Sequence, residues 1–161
     1  MYIFGIDPGL NTTGIGIIAI ENKILKYVNH KTIKTSPKNS LPLRLKALLD
    51  GFSEIINEYK PDYAAIEDIF FSVNVKSAIL LGQTRGVLIA SLLHNNVEII
   101  EFTALQIKKS VVGYGKADKN QVKKMVEIHL NQKFNKVPFD VTDALACGIT
   151  LGLTLTGGIR K

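Results

Sequence analysis

The segment YIFGIDPGLNTTGIGIIAIENKILKY, residues 2–27, decides the architecture. Its apolar residues come in short runs separated by turn residues, the pattern of strands. The runs are Tyr2–Asp7, Gly14–Ile20, and Ile24–Tyr27 continuing toward Ile33. Pro8-Gly9 and Glu21-Asn22-Lys23 mark the turns. Three consecutive strands with short turns make an antiparallel meander. Asp7 is the anomaly, because it closes a run of buried character. An ionised carboxylate there is costly unless something positive meets it.

Downstream the pattern alternates. Leu45, Leu48, Leu49, Phe52, Ile55, Ile56 and Tyr59 recur at helical spacing, which predicts a helix over 42–59 with Ser40 near its N-cap. Pro61 stops it. A short strand is expected over Tyr63–Glu67, a long helix over Val75–Asn95 and a strand over Val97–Phe102. Helices then follow over Thr103–Val112 and Lys119–Asn131, the second opened by an Asp118/Gln121 capping box, and a last one starts near Asp140. Gly82 and Gly86 lie on one face of the long helix and imply close backbone approach to a sheet or a partner. The order predicts an α/β fold: a five-stranded mixed sheet with helices on both faces. Residues 1–161 fit one domain, with 156–161 a short, flexible basic tail.

Three more acids share the peculiarity of Asp7. Glu67 closes the run Tyr63-Ala64-Ala65-Ile66, although Glu is poor in strands. Asp140 and Asp143 open the apolar stretch that begins at Ala144, and their spacing of three puts them on one helix face. Three have a plainer alternative: Asp7 as a turn residue, Asp140 as an N-cap, Asp143 as a first-turn acid at the positive end of the helix dipole; Glu67 is harder to dismiss. Together they form a set whose mutual repulsion a divalent cation would relieve. Carboxylate oxygens are hard ligands suited to Mg²⁺, with Mn²⁺ able to substitute, and four acids suffice for two ions. No Cys/His zinc spacing and no phosphate-binding P-loop occurs, and His30, His94 and His129 are scattered.

The net charge of +6 is local. Between Thr103 and Lys136 stand eight lysines (108, 109, 116, 119, 123, 124, 133 and 136) against two acids, Asp118 and Glu127, while the remaining charges cancel. A basic block beside a carboxylate site suits a nuclease, with lysines on the phosphate backbone. The alternative is a solvated helix face. A single cysteine, Cys147, reads as a core residue and suits a reducing compartment. With no signal-peptide pattern and no apolar run of spanning length, a cytoplasmic protein is expected.

Five motifs, in order, then acquire a common meaning. Gly5-Ile6-Asp7-Pro8-Gly9 with Thr13-Gly14-Ile15-Gly16, Ala65-Ile66-Glu67-Asp68-Ile69-Phe70, and Leu81-Gly82-Gln83-Thr84-Arg85-Gly86 are the first three. The basic segment Ile107–Gly113 through Lys119–Val122, and Asp140-Val141-Thr142-Asp143-Ala144-Leu145-Ala146, complete the set. The chain thus resembles the RuvC-type Holliday junction resolvases, of the ribonuclease H-like superfamily, from Met1 to about Ile149. That resemblance implies a homodimer that nicks two strands of a four-way DNA junction symmetrically in recombination and repair, alongside branch-migration motor proteins. It makes Asp7, Glu67, Asp140 and Asp143 the catalytic metal ligands. Expected DNA contacts are Phe70, as a wedge between bases, with Arg85, Lys108, Lys116, Lys119 and Lys123. Leu10 and Asp68 depart from the pattern, where a small polar residue and an amide are common. Actin-like ATPases and sugar kinases open similarly, but they need two such domains. An RNA-directed nuclease of the same fold and a non-catalytic junction binder are the other readings.

Overall fold

A computed structural model describes residues 1–68 and 74–157. The meander forms as three strands: β1 (Tyr2–Asp7), β2 (Thr12–Glu21) and β3 (Ile24–Lys34). β2 and β3 are joined through Asn22 and Lys23, both at positive φ (51° and 65°). That is the backbone a two-residue hairpin needs to match strand twist. The helix α1 (Leu41–Tyr59) ends as Lys60 turns left-handed before Pro61. There follow β4 (Tyr63–Glu67), α2 (Val75–His94), β5 (Glu98–Phe102), α3 (Ala104–Val112), α4 (Lys119–His129) and α5 (Phe139–Leu155).

The sheet order is β3-β2-β1-β4-β5, with β1 antiparallel to β2 and parallel to β4. Strand alternation splits the core between its two faces. Phe4, Ile6, Ile15 and Ile17 pack with Leu48, Phe52, Leu88 and Leu92 of α1 and α2. Ile3, Ile18 and Ala65 pack on the other face, with Ile107, Val126, Leu145 and Ile149 of α3, α4 and α5. Asp7 follows Ile3 and Gly5 by the two-residue period, and Glu67 follows Ala65. Both acids therefore belong to the α5 face.

Two glycines let α5 lie directly on the strands. A β-carbon at Gly5 would sit 2.0 Å from the Ala144 carbonyl oxygen, and one at Gly14 would sit 2.1 Å from that of Asp140. No side chain larger than hydrogen fits at either place.

Element ends differ from expectation by a residue or two. Ser40 occupies the N-cap position of α1 without bonding through its side chain. Pro138, rather than Asp140, is the N-cap of α5, so Asp140 is a first-turn residue and caps nothing. The Asp118/Gln121 capping box forms, and Thr103 with Gln106 makes a second. Cys147 is fully buried in α5, and burial pushes its thiol far up. Among the described residues no helix is long and apolar enough to cross a membrane. Of the expected tail, residues 158–161 lie outside the described part.

Candidate active site

Asp7 and Glu67 end neighbouring parallel strands, each one residue beyond the Ile6–Ile66 pair. The Pro8–Asn11 turn after Asp7 is stapled by Thr13, whose buried hydroxyl donates to the Gly9 carbonyl at 2.8 Å. From outside, Arg44 of α1 donates through Nε to Thr35 Oγ1 (2.8 Å) and through a terminal nitrogen to the Leu10 carbonyl (3.2 Å). Thr35 itself donates to the same carbonyl. Opposite them, α5 brings Asp143 and Asp140 over β1 and β2.

Asp7, Glu67 and Asp143 line one cavity of about 270 Å³, together with Lys108 of α3 and Lys119 of α4. Asp140 stands outside that lining but repels Asp7. The carboxyl of Asp7 is pushed up from 3.8 to about 8, first by burial and then by the charges of Asp143, Glu67 and Asp140, with Lys119 opposing. Glu67 moves the same way, through burial and then Asp143, against Lys119 and Lys108. Among the described residues no three acidic, histidine or cysteine side chains are drawn close enough to grip an ion as they stand. The donor set nonetheless fits a hard divalent cation. It is all carboxylate oxygen, and the burial and mutual repulsion that push the Asp7 carboxyl up are what a bound cation would relieve.

One positive group already sits among the acids. The Lys119 ammonium donates to Asp143 Oδ2 at 3.1 Å, and the pair raises the lysine pKa. On its other side lies the ring of Phe139, 5.5 Å from the ammonium to the ring centroid. Neither partner was expected from the order of residues. The one available signal for Phe139 is an aromatic at the solvent-exposed start of an otherwise apolar helix, next to Asp140.

The expected DNA-contacting residues separate into groups. Lys108 and Lys119 line the acidic cavity. Lys116 is exposed in the connection before α4, and Lys123 lies one turn beyond Lys119 on the same helix face. Arg85 differs from the expectation. Its side chain is only 12% exposed, and its guanidinium pairs with Asp68 at the end of β4 (3.5 Å) and with Glu101 of β5. A guanidinium paired with two carboxylates braces the strand ends against α2, while its buried Nε has no hydrogen-bond partner among the described residues. It also gives Asp68, the unusual neighbour of Glu67, a use. Phe70, the expected wedge, lies outside the described residues.

Known proteins arrange themselves around this chain consistently. A family model described as crossover junction endodeoxyribonuclease RuvC matches residues 3–151. The chain is 48% identical to the crossover junction endodeoxyribonuclease RuvC of Ralstonia pickettii (strain 12J), over 92% of this chain and 82% of that one. It is 47% identical to the protein of that name from Alkaliphilus oremlandii (strain OhILAs), over 92% and 91%. Among solved structures, the Thermus thermophilus RuvC in complex with Holliday junction substrate superimposes with a TM-score of 0.91 at 26% identity, over 98% and 96% of the two chains. The yeast mitochondrial resolvase Ydc2 shares the fold alone, at a TM-score of 0.65 and 12% identity, over 98% of this chain and 81% of that one. A match running through β1 to α5, with relatives near half identity over almost its whole length, means that this protein belongs to the RuvC family of crossover junction endodeoxyribonucleases.

Proposed function

We propose that this protein is a homodimeric, divalent-metal-dependent endonuclease that resolves four-way DNA junctions by paired symmetric nicks. The observation that carries this is the meeting of Asp7, Glu67 and Asp143 at one cavity whose rim bears Lys108 and Lys119. Acids and lysines in one concavity match a scissile phosphate that must be both held and attacked.

Asp7, Glu67, Asp140 and Asp143 are the residues that would hold the metal. When bound, Mg²⁺, or Mn²⁺ in its place, two per site, activates water and stabilises the leaving 3′-oxygen. The β1–β4 pairing fixes the backbone of Asp7 beside that of Glu67, which leaves side-chain rotation to bring the carboxylates onto an ion. Lys108 and Lys119 draw the phosphodiester against the acids. Lys116 and Lys123 hold flanking backbone, and Phe70 is assigned the base-unstacking wedge from the resemblance.

Two-fold pairing of active sites requires a second copy. Its support is the outer face of α2, where Val75 (69% exposed) and Ile79 (56%) share a stripe with Gly82, Gly86 and the exposed Leu93. A β-carbon at either glycine would meet nothing within 4 Å, so neither serves the chain's own sheet. We read residues 1–161 as one domain acting in the cytoplasm with branch-migration motor proteins.

The test is a labelled four-way junction incubated with and without Mg²⁺ beside plain duplex. Symmetric Mg²⁺-dependent nicks confined to the junction are expected. Equal cutting of duplex, or intact junction at all Mg²⁺ concentrations, would overturn the proposal.

A further inference from the structure

We propose that Lys119 is the built-in counter-cation of the acidic pocket, holding Asp143 until a divalent ion takes its place. The inference rests on the reading of that pocket as a divalent-cation site, and adds how the site is regulated.

Three observations carry it. The first is position. Asp143 lines the cavity together with Asp7 and Glu67. Lys119 is its ion-pair partner at 3.1 Å, and among the described residues Asp7, Glu67 and Asp140 have none. The second is exposure. The Lys119 side chain is 63% exposed while Asp143 is 21% exposed, so the lysine can swing out while the carboxylate stays. The third is the support behind it. The Phe139 ring, 5.5 Å away, gives the ammonium an aromatic face beside the carboxylate.

An ammonium and a dication on one carboxylate repel each other, so metal loading must move Lys119 off Asp143. A displaced lysine at the rim of the cavity then needs a new anion, and a DNA phosphate supplies it. Metal and junction thereby assist each other's binding, since each relieves a cost imposed on the other. With Asp143 held by Lys119, the metal-free pocket binds stray cations less tightly than its acids would alone.

The test is a titration of the full-length protein with Mn²⁺ in the absence of DNA, following free Mn²⁺ by electron paramagnetic resonance. Wild type is compared with Lys119→Gln and Lys108→Gln. Lys108 lines the same cavity but pairs with none of the four acids among the described residues, so it controls for the general loss of a positive charge. Lys119→Gln should bind Mn²⁺ about threefold to tenfold more tightly, the range spanned by a partly exposed ion pair and a more shielded one. Lys108→Gln should tighten binding by less than about twofold. Unchanged or weaker binding by Lys119→Gln overturns the inference, as does an equal gain in both variants. Those results leave the metal site itself standing. Failure of all three proteins to bind Mn²⁺ would remove the metal site and this inference together.

Discussion

The carbonyl oxygen of Asp140 occupies the space that a β-carbon on Gly14 would need, 2.1 Å from where it would lie. Gly14 is also the cross-strand partner of Asp7. Gly14 on β2, together with Gly5 on β1, therefore sets how closely the helix turn that carries Asp140 and Asp143 approaches the end of the strand at Asp7.

Gly14→Ala should push the first turn of α5 off the sheet. The expected stability loss is about 1–3 kcal/mol, from overpacking against backbone that cannot rotate away. Cleavage should fall further than stability explains, by about a hundredfold for a displacement near 1 Å. Denaturant melts and single-turnover junction cleavage on the same preparation measure the two losses. A stable variant with full activity would show that the close approach does not set the site.

Asp7→Asn should abolish cleavage and leave junction binding intact, since the lysines that hold the backbone are untouched. In EDTA the variant should melt at a higher temperature than wild type, because burial and the neighbouring acids make the folded wild type hold a proton on Asp7 that the unfolded chain gives up, a cost that an amide does not carry. The rise in Tm that Mg²⁺ gives the wild type should shrink or vanish. A variant that neither cleaves nor folds would mark Asp7 as structural.

The pH dependence of the metal-free protein has a definite sign. Folding raises the Asp7 carboxyl from 3.8 to about 8, and Glu67 shifts upward too. Between those two values the folded chain binds more protons than the unfolded one. The resulting stabilisation is complete below about pH 4 and is lost as pH climbs through about 8. In EDTA the Tm should be lower at pH 9 than at pH 6, and saturating Mg²⁺ should flatten or reverse that trend, since a bound cation favours the ionised acids. A Tm that rises with pH in EDTA would contradict the burial and repulsion assigned to Asp7.

Lys123→Ala should weaken junction binding evenly across sequences and reduce the slope of log K against log salt by about 0.9, one phosphate contact. Fluorescence anisotropy at several salt concentrations reads it directly. An unchanged slope removes Lys123 from the DNA surface. Arg85→Ala is expected instead to act on stability, because its guanidinium is already taken by Asp68 and Glu101.

Ile79→Glu places a charge on the exposed stripe of α2. Sedimentation at micromolar concentration should show wild-type dimers and variant monomers, and the variant should make single rather than paired nicks. Dimers that persist in the variant would move the interface elsewhere.

Much of the acidic site was legible before any coordinates, because it depends on short-range periodicity. Asp7 and Glu67 stood out as acids closing apolar runs, and the helical period put Asp140 and Asp143 on one face. Gly82 and Gly86 left a choice between sheet and partner, and the open space beside both decided against the sheet. Arg85 was expected at DNA, and the structure gives it two carboxylate partners that the sequence did not point to. A basic residue on a helix looks the same in sequence whether it faces phosphate or two carboxylates from separate strands.

The sequence by itself determined which elements form, which residues face the core, and that four acids sit at the ends of buried segments. Those properties follow from the backbone geometry of neighbouring residues. Only the tertiary structure decided that Lys119 rests on Asp143, 24 residues away, that Phe139 backs it, and that Arg85 is enclosed. The first two meetings depend on how α4 and α5 dock through Val122, Val126 and Leu145 in a shared core, and the third on how α2 packs against β5 on the other side of the sheet. Docking is a sum over many small burial terms spread along the chain, and no local spacing records it.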